Sequence, residues 1–208
     1  IYTHPPVAEP VDGKPVDLET MLAETTATVK RLVADGKFVI ALGGEHSITA
    51  PVVDAYRQLD ETASGDQSGD QSGDQSGHQP GKAPFTVVQI DAHGDLRHSY
   101  EGSTYNHACV MRRIVEMGLP TVQLGIRSLC SEEARLIKDR QLKIVWARDM
   151  ALGGNWVERA IAAIPTEKVF LTIDLDGLDP SLMPGVGTPE PGGMNWYAVL
   201  HFLRRLFE

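Results

Sequence analysis

Cysteine is scarce in this chain: Cys109 and Cys130 are the only two among 208 residues, and no CxxC spacing joins them. That scarcity excludes a thiolate zinc knuckle and a disulfide-dense scaffold, and it predicts two reduced, buried thiols rather than a bridge. Basic charge is also short, with 19 Lys and Arg against 28 Asp and Glu and a formal charge of -9. No basic stripe occurs along the chain, which excludes nucleic acid as a partner and favours a cationic small molecule. Apolar runs are short too. None reaches the roughly 18 residues of a membrane span and no signal-peptide pattern opens the chain, so no membrane partner is expected and a cytoplasmic location is.

The apolar and charged fractions, 42% and 23%, are those of an ordinary globular protein. The length predicts one domain over 1–208 with a core of its own. The chain opens on Ile1 without Met and closes on Leu206-Phe207-Glu208 within a helical pattern, so it is expected to be cut at both ends and the domain to be partial.

Along the chain, Asp17 is placed to cap a helix whose apolar positions Leu18, Met21, Leu22, Val29, Leu32 and Val33 recur at helical spacing, and Gly36 to end it. Phe38-Val39-Ile40-Ala41-Leu42 is a continuous apolar run, which predicts a strand buried on both faces of a parallel sheet. The alternation continues with helices over about 48–59, 108–117, 132–139, 156–164 and 196–207, and with strands over about 85–90, 121–124, 142–146 and 169–173. A Ser-Gly-Asp-Gln repeat over residues 64–81 has no apolar residue and cannot build a core. It reads as a flexible surface insertion at about 61–84, tolerated because loop-closure entropy grows slowly with length. A calcium-binding solenoid is the rival, but it needs an inward-packing apolar residue in every period.

Chemistry collects at the strand ends. Ile90-Asp91-Ala92-His93-Gly94-Asp95 and Ile173-Asp174-Leu175-Asp176-Gly177-Leu178-Asp179-Pro180 each follow a β-branched run, and His46 follows the apolar run at 38–42. Side chains at i and i+2 of an extended segment point the same way, so Asp91, His93 and Asp95 are expected to converge, as are Asp174 and Asp176. Singly, His46 could satisfy a turn, Asp95 cap a helix and Asp179-Pro180 start a turn. Together they bring four aspartates and two histidines to the carboxyl edge of a sheet, where open α/β folds collect ligands. Carboxylates mixed with imidazole suit Mn²⁺, Mg²⁺, Fe²⁺ or Zn²⁺ better than thiol-loving ions, which argues for a two-metal hydrolytic site.

Gly43-Gly44-Glu45-His46-Ser47-Ile48-Thr49, Asp91-Ala92-His93-Gly94-Asp95 and Asp174-Leu175-Asp176-Gly177-Leu178-Asp179-Pro180 resemble, in order and spacing, the three signatures of the ureohydrolase family, which includes arginases, agmatinases, formimidoylglutamases and guanidino-acid hydrolases. Gly187-Thr188-Pro189-Glu190-Pro191-Gly192-Gly193 and Asn106-His107-Ala108-Cys109-Val110-Met111-Arg112-Arg113 look most like the agmatinase branch. The resemblance implies an α/β fold of three layers, α/β/α, with a mainly parallel, arginase-like sheet, here incomplete at both termini. It implies two Mn²⁺ ions, one held by His46, Asp91, Asp95 and Asp174 and the other by His93, Asp91, Asp174 and Asp176, with Asp91 and Asp174 bridging. It also implies hydrolysis of a small guanidino substrate to urea and an amine, agmatine to putrescine above all, by a homo-oligomer, trimer or hexamer. His107 falls where the family's proton donor to the leaving amine lies, and an imidazole suits that task. Its plainer reading is a helix-start residue. Asp95 would also orient the nucleophile, while Glu101 and Glu190 are candidates for substrate contact.

The pattern departs from the family in two respects. The chain ends before the further glutamate beyond the last signature, which pairs with the guanidinium, can be matched, and the usual N-terminal portion that builds the first strand and part of the pocket rim is absent. Arginase, formimidoylglutamase and other guanidino-acid activities remain alternatives, as does a metal-binding relative or subunit without turnover. A metallophosphoesterase also uses Asp-x-His, but it leaves Asp174 and Asp176 without a role. A zinc deacetylase needs one metal where this pattern offers two.

Overall fold

The computed structural model describes residues 3–7, 16–64 and 83–208. Helix α1 spans Leu18–Ala34, and the Asp17 carboxylate accepts the Thr20 N–H at 2.9 Å as its cap. Then come α2 (Thr49–Ser64), β1 (Thr86–Ile90), α3 (Val110–Glu116), β2 (Thr121–Ile126), α4 (Ser131–Arg140), β3 (Lys143–Trp146), α5 (Ala147–Ala151), α6 (Trp156–Ala162), β4 (Val169–Ile173) and α7 (Trp196–Leu206). The four strands form one parallel sheet in the order β3-β2-β1-β4, with Ile90 level with Leu124 on β2 and Ile173 on β4.

Alternation along β1 divides the core. Val88 and Ile90 join Val122 and Leu124 beneath Trp156, Val157 and Ala160 of α6 and Val199 and Phe202 of α7. Val87 points the other way, toward Val53 of α2 and Val110, Met111 and Ile114 of α3. Apolar side chains on both faces of a strand require a helical layer on each side, which is the α/β/α sandwich. Because the strands are parallel, Asp91 after β1 and Asp174 after β4 emerge at the same edge.

The segment Phe38–Leu42 does not form the expected strand. It has no regular structure, and Phe38, Ile40 and Leu42 are 90%, 73% and 91% exposed, while Val39 packs against the α1–α2 cluster near Phe170. Composition alone cannot make a parallel strand, which needs a neighbour to accept its ladder. Among the described residues, β4 pairs only with β1, and Ile173 and Leu175 beside its open edge are 41% and 49% exposed.

The insertion expected at about 61–84 begins later, since Glu61 to Ser64 finish α2; residues 65–82 of that expectation lie outside the described residues. The short helix α5 carries no sequence signal that separates it from a loop. Cys109 and Cys130 are free thiols; Cys109 is buried as expected, whereas Cys130, at the start of α4, is only partly buried. Among the described residues, no helix is long and apolar enough to cross a membrane.

Candidate functional site

Three ligand-bearing segments meet at the carboxyl edge of the sheet. Asp91 follows β1 directly, with its N–H on Leu124 O at 3.0 Å, and Asp174 follows β4, with its N–H on Ile90 O at 2.9 Å. These two bonds carry the sheet ladder one residue beyond the strands and fix both aspartates. Such closeness requires glycine at Gly177, where a Cβ would lie 2.8 Å from Asp91 N, and at Gly125, whose φ is +89° at the irregularity in β2. His46 opens a one-turn 3-10 helix, His46–Ile48, in which the Glu45 carboxylate accepts the Ser47 N–H at 2.6 Å.

The side chains form two overlapping sets, His46–Asp91–Asp174 and Asp91–His93–Asp176, whose ligand atoms lie within 4.8 Å of one another. In the first, His46 Nδ1 faces Asp95 Oδ2 at 3.0 Å, Asp91 Oδ2 at 3.2 Å and Asp174 Oδ2 at 3.5 Å. In the second, His93 Nδ1 faces Asp176 Oδ2 at 3.0 Å and Asp91 Oδ1 at 3.6 Å. Asp91 therefore turns one oxygen to each histidine. Asp174 turns Oδ2 toward His46, and its Oδ1 accepts the Asp176 N–H at 3.0 Å on the side of the second set.

The donor set fits divalent cations. His46 Nδ1 is buried and has no well-directed hydrogen bond, although three carboxylate oxygens surround it. An orphaned buried nitrogen aimed at a shared point is the arrangement of a ligand rather than of a simple ion pair. Its other nitrogen, Nε2, is 3.0 Å from Thr172 Oγ1, which turns Nδ1 inward.

The electrostatics agree. Burial would push His46 down, but Asp91 and Asp95 override it and hold the imidazole well above its ordinary value. Its hydrogen bond to Asp176, reinforced by Asp91, raises His93 to about 10. Burial and the neighbouring Asp91 charge raise Asp95 to about 7, and the same two causes raise Asp174. Burial works against ionised Asp91 as well, yet His46 and His93 hold it below the carboxylate range. Crowded carboxylates thus call for positive charge, which protons supply here and divalent ions would supply better.

Asp95 joins this cluster by a route that alternation does not describe. Its φ is +52°, a left-handed conformation that costs about 1–3 kcal/mol in a non-glycine residue and persists where its surroundings enforce it. Those surroundings are visible: Glu133, buried at the start of α4, accepts Leu96 N–H at 2.9 Å and Cys130 N–H at 2.8 Å, while Asp95 O accepts Arg112 N–H at 3.0 Å.

His107 lies at the rim. Its Nδ1 and backbone N–H are 2.9 and 3.0 Å from Glu45 Oε1, and the Tyr100 ring stands edge-on at 6.0 Å. Asn106, not His107, caps the turn that begins there, accepting Ala108 N–H at 3.1 Å. Glu190 Oε1 approaches His93 Nε2 at 3.7 Å. Glu101 sits apart, exposed at the tip of a two-residue turn in which Tyr100 and Ser103 exchange hydrogen bonds of 2.9 and 3.0 Å.

Several supporting residues escape a motif search. Gln89, fully buried in β1, donates to Asp91 Oδ2 at 2.7 Å, and Gln123 of β2 donates to Gly94 O at 2.8 Å. The usable signal was positional: Gln89 and Thr172 are polar residues inside apolar strands, each two before an aspartate and so on the same side.

A family model described as the Arginase family matches residues 6–208. The chain belongs to the arginase family. Among arginase-family relatives, the N(1)-aminopropylagmatine ureohydrolase of Synechocystis sp. is 50% identical over 208 residues, which is 100% of this chain and 61% of that protein. The agmatinase of Pyrococcus horikoshii is 35% identical over 92% of this chain and 58% of its own. The crystal structure of the agmatine ureohydrolase of Thermoplasma volcanium matches with a TM-score of 0.71 and 32% identity, covering 91% of this chain and 57% of that one. The chain thus spans about three fifths of the arginase-family proteins it resembles, and the shared part includes both sets of ligand-type side chains.

Proposed function

We propose that this chain carries the metal centre of a binuclear manganese ureohydrolase, a C–N hydrolase that converts a cationic guanidino-alkylamine to urea and the corresponding amine. The observation that carries the reading is the division of the Asp91 carboxylate, one oxygen toward His46 Nδ1 and the other toward His93 Nδ1. In this reading His46, Asp91, Asp95 and Asp174 hold one ion, and Asp91, His93 and Asp176 hold the other. Two Mn²⁺ ions there would supply a water nucleophile activated at neutral pH.

The chain's own residues do the rest. With the ions bound, Asp95 would orient the nucleophile by accepting its hydrogen bond. Glu45 holds His107 Nδ1, which leaves Nε2 to pass a proton to the departing amine, a transfer that must precede separation of urea from the amine. Glu190, whose Oε1 stands 3.7 Å from His93 Nε2, would meet the cationic guanidinium, and the net acidity of the chain favours such a substrate. The homo-oligomer, the single domain over 1–208 and the cytoplasmic location belong to the same reading.

Agmatine is the substrate that the sequence resemblance favours. The names of the more similar relatives support its N1-aminopropyl derivative, since the relatives at 50% and 36% identity are N(1)-aminopropylagmatine ureohydrolases. Both are guanidines on a cationic amine tail. Urea release by the intact protein with Mn²⁺ should be fast on one or both amines and slow on arginine and guanidino acids. Preference for a carboxylate-bearing guanidine would overturn the substrate class while leaving the metal centre standing.

A further inference from the structure

Arg127, in the loop that leaves β2, has a guanidinium bonded wholly to backbone carbonyls. Its Nε donates to Pro191 O at 3.0 Å, its Nη1 to Gly125 O at 3.2 Å and Gly177 O at 3.5 Å, and its Nη2 to Asp176 O at 2.7 Å, Glu190 O at 3.0 Å and Leu178 O at 3.3 Å. The backbone N–H groups of Arg127 and Ser128 both donate to Ala92 O, at 2.8 and 3.0 Å. Ala92 lies between Asp91 and His93, so this one residue ties the strand end bearing those two to the turn bearing Asp176. It also ties both to the segment that aims Glu190 at His93. None of these bonds reaches His46, Asp95 or Asp174. Half-burial costs a guanidinium much of its hydration, and five donors in a rigid plane can recover it only where carbonyls are arranged to match.

We propose that Arg127 is a positioning residue for one half of the centre: it sets Asp176 and Glu190 against His93, and so governs the ion shared by Asp91, His93 and Asp176 without governing the ion at His46. The inference rests on the binuclear reading. Neither the signatures nor the relatives' names assign such a role to Arg127. A merely structural arginine would lower stability and affect both ions alike, whereas this one must affect them unequally.

The test uses the intact protein stripped of metal, titrated with Mn²⁺ and followed by metal analysis and electron paramagnetic resonance. Wild type should take up about two ions per chain with the spectrum of a spin-coupled pair. Arg127→Lys keeps the charge and the stem but not the planar fork. It should bind one ion as tightly as wild type and the other at least about tenfold more weakly, the usual cost of losing an outer-shell partner. An uncoupled Mn²⁺ signal should then appear at stoichiometric metal. Arg127→Ala should exaggerate the asymmetry, and if it does not fold, the lysine variant decides. Native binding of both ions by Arg127→Lys, or equal weakening of both, overturns the proposal alone. A wild type that holds one ion overturns the binuclear reading and this inference with it.

Discussion

His107 is where chemistry and metal assembly separate most cleanly. It is tied to Glu45 rather than to the ligand carboxylates, so its removal should spare the centre. His107→Asn should retain both ions and the melting temperature, while turnover falls by roughly 10² to 10⁴, the usual contribution of a positioned proton donor. Unchanged turnover with both ions in place would return His107 to the role of a turn residue. The ligands themselves predict a pH effect in the metal-stripped protein. A group held up by the fold stabilises it below the group's free value and stops doing so as pH rises through the folded one. Asp95 rises from 3.8 to about 7 and His93 from 6.5 to about 10, so stability should fall from about pH 4 to 7 through Asp95 and from about 6.5 to 10 through His93, and therefore across pH 6 to 9. Asp91 is held low and contributes fully throughout that window. Mn²⁺ replaces those protons, so the rise in melting temperature that it causes should grow from pH 6 to pH 9 in thermal scans. A rise that shrinks with pH would mean that the carboxylate cluster is not where the ion binds.

Among the elements, β4 was legible to the residue, since Val169–Ile173 is both the expected and the observed strand. The pairing of Asp91 with His93 was legible because an extended backbone repeats every second residue. Asp95 reaches the first set through a left-handed turn and a buried glutamate from α4, two long-range causes that a local pattern does not carry. Nor does a pattern reveal the Arg127 fork, whose acceptors are carbonyls and so leave no side-chain signature. Phe38–Leu42 failed for the complementary reason, because strand propensity is realised only against a partner edge. Between α2 and β1 in the sequence lies the Ser-Gly-Asp-Gln repeat of residues 64–81. Its polar composition should make it dispensable, so replacing residues 65–81 with a short Gly-Ser linker should leave melting temperature and Mn²⁺ content unchanged. Loss of either would mean that it packs on the domain.

At the scale of the whole molecule, the acidic balance, the parallel sheet and the cluster of ligand-type side chains are one arrangement. Parallel strands carry their carboxyl ends to a single edge, the edge concentrates aspartates, and the cluster contributes to the net charge of -9. Beside β4, Ile173 and Leu175 are 41% and 49% exposed, and no strand pairs with that edge among the described residues. In the proposed arrangement Asp91 serves two ions at once. The most direct measurement is the metal content of the intact protein and of Asp91→Asn after dialysis against Mn²⁺ and removal of free metal. Wild type should retain about two ions per chain and the variant neither, because one carboxylate bridges both positions. A single tightly held Zn²⁺ in the wild type, or two ions in Asp91→Asn, would contradict it.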